Sequence, residues 1–170
     1  MFIGHFGIAL AAKRAAPRTS LGVLVAAAQL LDLIWPPLVL AGIEKVRIEP
    51  GNTRFTPLDF ESYPWSHSLL MAALWSIVAA AAYWAAKRYR RGALVIGLAV
   101  FSHWLLDFIT HRPDLPLYPG SRVYAGLGLW NSVPATIIVE GAIFALGVWL
   151  YAASTRSKDK YGSGGFIAAP

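Results

Sequence analysis

The sequence predicts an all-α, polytopic membrane bundle: four spanning helices preceded by a short apolar N-terminal helix. Three observations carry that reading. The 170 residues are 56% hydrophobic and only 14% charged, whereas soluble domains hold about a quarter charged residues. Four apolar runs, at 20–43, 66–86, 92–111 and 133–153, each approach the roughly 20 residues that cross a hydrocarbon core. The basic residues also alternate in density between the runs. Lys13, Arg14 and Arg18 precede the first run, Lys87, Arg88, Arg90 and Arg91 separate the second and third, and Arg156, Lys158 and Lys160 follow the fourth. Loops 44–65 and 112–132 hold only Lys45, Arg47, Arg54, Arg112 and Arg122. Lys and Arg favour the cytoplasmic side, so the basic loops and the C-terminus are expected there in a multi-pass protein. The net charge of +6 then belongs to a membrane surface, and the partner implied is the lipid bilayer, not nucleic acid.

The elements follow in order. Residues 1–12, MFIGHFGIALAA, are apolar but short for a crossing; they read as a re-entrant or interfacial helix, or as a span completed by neighbours. The segment carries His5 and has no basic residue ahead of its apolar part, unlike a signal peptide. The first full span holds Asp32 near its centre, three residues after Gln29 and just before Pro36 and Pro37, which predict a kink beyond the acid. Loop 44–65 reads as an ordered external loop, and Ser66 as the N-cap of the second span, placing His67 at its outer mouth. The third span runs outward to FSHWLLDFITHR. Asn131 or Ser132 caps the fourth, with Pro134 in its first turn, and this span carries Glu140. Residues 1–154 form one membrane-embedded domain and 155–170 a polar, Gly-rich tail. Trp65, Tyr118, Trp130 and Tyr151 sit at span ends, as an interfacial aromatic belt does.

Within FSHWLLDFITHR, His103, Asp107 and His111 are spaced four apart. Four residues advance a helix by about 400°, so each side chain departs from its predecessor by only about 40°. Ionisable groups at membrane depth are costly and mark functional interiors. Given the topology, His5, His67, His103 and His111 all reach the outer half of the membrane, together with Asp32, Asp107 and Glu140. Imidazoles and carboxylates on successive turns are metal-binding chemistry. The candidate ligands are His5, Asp32, His67, His103, Asp107 and His111, and the candidate general bases Asp32 and Glu140; Glu140 also reads as a helix–helix contact. With no cysteine in the chain, an N/O donor set suits a divalent transition metal, zinc first, then manganese or iron.

The pieces His5, QLLDL (Asp32), SHSLL (His67) and SHWLLDFIT followed by PLYPGS (His103, Asp107) resemble the YdjM family of bacterial inner-membrane, metal-dependent hydrolases. The resemblance spans residues 2–122. It implies a helical membrane bundle with a metal-assisted hydrolytic site. The family commonly shows Pro-Asp-x-Asp where this chain has Leu30 and Leu31 before Asp32, and losing one carboxylate points to a mononuclear site. GNTRFTPLDF and GLGLWNSVPAT are similar to a subgroup that continues into a further apolar segment, so a final helix beyond GSGGFIAAP is expected of the family. The expected activity is hydrolysis of a lipid or lipid-linked ester, amide or phosphoester. The alternatives from other classes are an ion- or proton-conducting permease and a non-catalytic bundle locked by its polar groups.

Overall fold

A computed structural model describes residues 1–155; the tail from 156 on, with Arg156, Lys158 and Lys160, lies outside the described residues. Helix accounts for 65% of the described residues, with no closed sheet among them, and the α-helical segments number seven. They are α1 (Ile3–Ala15), α2 (Leu21–Ala28), α3 (Leu30–Leu40), α4 (Pro64–His67), α5 (Leu69–Lys87), α6 (Arg90–Thr110) and α7 (Val133–Ser154). By length and composition α5, α6 and α7 are able to cross a membrane, and α2 with α3 makes a fourth if the bent pair counts as one span. The centre of the bundle is α6. Ile96, Ala99, Val100, His103, Asp107 and Thr110 are buried along it at steps of three and four, the period of one helix face. The flanking helices turn Leu74, Ile77 and Val78 of α5 and Ile137, Ile138, Leu146 and Trp149 of α7 outward, as lipid-facing surfaces do.

α1 packs along α7 at a glycine contact. A Cβ at Gly7 would lie 2.6 Å from the Ile143 carbonyl oxygen, and one at Gly147 would collide with the backbone of Gly7. Small residues allow such close approach in lipid. The start of α1 is held by Glu140 of α7. Its Oε2 accepts from the amides of Phe2 and Ile3, both at 2.8 Å, and of Gly4 at 3.4 Å. These are the donors a helix N-terminus leaves unpaired.

Three expectations need correction. The first long run bends by 56° at Gln29, before Asp32 and not beyond it; Pro36 and Pro37 lie inside α3. The break at Gln29 lets the Ala28 carbonyl meet His103 Nδ1 at 2.7 Å. Ser68, not Ser66, caps α5, accepting from the Met71 amide, because residues 64–67 form their own helical turn. Ser132 does cap α7. Finally, the chain is not wholly α: an antiparallel hairpin, β1 (Lys45–Ile48) with β2 (Leu58–Ser62), occupies the first loop. A smaller pair, β3 (Leu115–Pro116) with β4 (Tyr124–Ala125), occupies the second. Outside the helices the backbone must find partners locally, and strand pairing supplies them.

The hairpin is clasped to the end of α6 by Arg112, which donates to Asp59 and Asn52 and, through Nε, to Asp114 Oδ2 at 3.2 Å. Its Phe60 packs on Trp35 and Tyr63, with ring centroids 5.5 and 5.1 Å away.

Gly7→Ala is expected to destabilise the protein by about 1–3 kcal/mol through overpacking, read as a lower melting temperature of detergent-purified protein. Gly22→Ala meets nothing within 4 Å, so it leaves the melting temperature unchanged or raises it.

Candidate metal centre

Four helices bring five of the candidate residues together. α1 supplies His5, α3 Asp32, α4 His67, and α6 both His103 and Asp107. The donor atoms of Asp32, His67 and His103 lie within 4.8 Å of one another, as do those of His5, His103 and Asp107. His103 Nε2 is 3.2 Å from Asp107 Oδ2 and 3.5 Å from Asp32 Oδ1. His67 Nε2 is 3.7 and 3.3 Å from the same two oxygens. A tetrahedral ion with bonds of about 2.0–2.2 Å has ligand–ligand edges of about 3.3–3.6 Å. The four distances span that range.

The hydrogen bonds around the cluster orient it. His103 Nδ1 must donate to the Ala28 carbonyl, which can only accept, so its Nε2 is turned to the two carboxylates; this buried nitrogen has no hydrogen-bond partner. His67 Nδ1 meets Ser66 Oγ at 2.7 Å, and Ser66 Oγ donates to Glu44 Oε2 at 2.7 Å. The serine proton being committed to Glu44, His67 Nδ1 is the donor and its Nε2 is left facing the cluster. In their neutral, ligating form the two imidazoles thus point Nε2 lone pairs at carboxylate oxygens. A shared cation resolves that repulsion, so the donor set fits a divalent metal.

Glu44 was not singled out from the sequence. Its carboxylate is buried and also accepts from the amides of Trp65 and Ser66, at 2.8 and 2.9 Å. It pins the turn that carries His67 to the base of the hairpin. Only the SHS triplet hinted at a role for Ser66, and nothing local marked Glu44.

Burial differs among the acids. The Asp107 side chain is 2% exposed and that of Asp32 43%. Asp32 opens into a cavity of about 190 Å³, floored also by His67, Asp107 and His111 and walled by Trp35, Phe60 and Trp130. Trp130 is therefore not part of an interfacial belt. It is buried, 4.3 Å from the His111 ring.

Two candidates stand apart from the cluster. His111 caps the end of α6, where the chain leaves the helix and the four-residue stripe stops. Its Nδ1 lies 3.1 Å from Asp114 Oδ1 and 3.2 Å from the Tyr63 hydroxyl, which donates to Asp114 at 2.6 Å. Burial pulls the His111 imidazole below its ordinary pKa, and burial with Asp114 alongside raises the Tyr63 phenol well above its own. Both are held neutral at the cavity's edge. Glu140 spends Oε2 on the start of α1, and its Oε1 is buried without a hydrogen-bond partner.

A family profile described as YdjM inner membrane protein matches residues 1–168. The chain belongs to that family. It is thereby a membrane protein, in keeping with its long apolar helices. No curated protein and no solved structure matches it.

Glu44→Ala is expected to weaken metal binding about 10–100-fold, the usual cost of losing a residue that orients a ligand, as measured by calorimetric zinc titration. Glu61→Ala, at the hairpin's outer face, leaves that affinity unchanged.

Proposed function

We propose that this chain is a metal-dependent hydrolase of the bacterial cytoplasmic membrane, acting on an ester, amide or phosphoester of a lipid or lipid-linked molecule. The observation that carries it is the convergence of His67, His103, Asp107 and Asp32 at tetrahedral spacing beneath a cavity with apolar walls. In this reading residues 1–154 form one domain crossing the membrane four times, the second helix pair serving as a single bent span. α1 enters partway with His5 at its buried end. The basic loops and the C-terminus face the cytoplasm, and the site faces the opposite side.

His67, His103 and Asp107 hold the ion, zinc first and manganese or iron next. Catalytic zinc sites keep one position open to water or substrate, and Asp32, the one exposed acid of the four, is the member that leaves room. When bound, the ion polarises a carbonyl or phosphoryl oxygen and makes water acidic enough to ionise near neutral pH. Asp32, at the cavity floor, accepts the proton of the attacking water. The ring faces of Trp35, Phe60 and Trp130 take up the apolar part of the substrate. The hairpin, clasped by Arg112, keeps bulk water from the floor, which strengthens every charge interaction there.

Detergent-purified protein is expected to carry metal, and His103→Ala combined with Asp107→Ala to carry none, by elemental analysis. Asp32→Asn is expected to keep the metal while kcat drops about 10²–10⁴-fold on whichever ester or phosphoester the wild type turns over. Wild type that stays empty after incubation with zinc or manganese sinks the hydrolase reading. Metal or proton flux in liposomes without hydrolysis replaces it with the permease.

A further inference from the structure

We propose that the centre holds two divalent cations, bridged by Asp107. The inference rests on the metal-centre reading above and sets its nuclearity, against the single ion that the missing Pro-Asp-x-Asp carboxylate suggested. The two oxygens of Asp107 serve different partners. Oδ2 faces His103 and His67, the two imidazoles that with Asp107 would hold the first ion. Oδ1 faces away, to His5 Nε2 at 3.1 Å and to the terminal ammonium of Met1. Positive charge therefore already rests on the second oxygen.

His5 is buried against this second oxygen. Its side chain is 1% exposed, its Nδ1 has no partner, and Asp107 is the residue it meets through Nε2. The ring lies parallel to that of His103, centroids 3.7 Å apart and planes within 5°. His5, Asp107 Oδ1 and the neighbouring His103 ring thus frame a second position beside the first, with Asp107 shared between them.

The test counts ions on the full chain in detergent. Protein stripped with chelator is titrated with zinc, and bound metal is measured by mass spectrometry and calorimetry. Two zinc per wild-type chain are expected, falling to one in His5→Ala, with the retained ion bound within about threefold of its wild-type affinity. Manganese-loaded wild type should show an exchange-coupled spectrum by electron paramagnetic resonance, and His5→Ala an isolated-ion spectrum. His5→Gln, which keeps a donor for Oδ1, should also bind one ion, and guards against misfolding of the alanine variant. One ion in both wild type and His5 variants overturns the bridge and leaves the mononuclear hydrolase standing, with the Met1 ammonium and His5 as hydrogen-bonding partners of Asp107. Loss of a single wild-type ion on changing His5 also overturns it. No ion in any sample defeats both readings together. Should neither variant fold, the wild-type count alone decides.

Discussion

The buried carboxylate of Asp107 is the constraint on which the site end of the bundle depends. An unpaired charge in such a place costs several kcal/mol, so the fold must bring partners to it from every direction. It does so with His103 from the same helix, His67 from the turn before α5, and His5 with the Met1 amine from α1. The partners from outside α6 come on two short pieces of chain, α1 and α4. Satisfying one charge therefore fixes the mutual positions of α1, α4 and α6.

Those short pieces would not hold themselves. α1 has 13 residues and α4 has four, less than an isolated helix needs for stability in water. A second ring of polar anchors compensates. Glu140 takes the unpaired amides at the start of α1, Glu44 takes those of the turn bearing His67, and the Ala28 carbonyl, presented at the break between α2 and α3, takes His103 Nδ1. For His67 and His103 the same anchors decide which nitrogen faces the cluster, so there stability and side-chain orientation are provided by the same hydrogen bonds. This is why a buried acid such as Glu44, several bonds from any candidate ion, belongs to the chemistry of the site.

The cavity above the cluster combines a polar floor with an aromatic wall. The wall is drawn from elements remote in sequence: Trp35 on α3, Phe60 on the hairpin and Trp130 just before α7. Arg112 ties the hairpin down with Asp59, Asn52 and Asp114, and behind it Tyr63, Asp114 and His111 form a hydrogen-bonded brace. The hairpin and the loop before α7 thus line the site on a helical frame.

What the sequence determined by itself was whatever depends on neighbours in the chain. The long apolar helices were legible because hydropathy is a one-dimensional property, and the family because its motifs are local strings. The facing of His103 and Asp107 followed from the pitch of α6 alone. The place where the helix ends is not local in that sense: α6 stops at Thr110, and His111 reaches the cavity floor from the C-cap. Only tertiary structure decided the rest, because it turns on partners far apart in the chain. Glu140 meets Phe2 across 138 positions and Glu44 meets Ser66 across 22, and no periodicity announces either. The bend at Gln29 depends on His103 claiming the Ala28 carbonyl, and Trp130 is buried because His111 and Phe60 arrive beside it. Residue type and spacing named the metal-binding chemistry; the geometry that lets one carboxylate serve two neighbours on opposite sides exists only once the helices are packed.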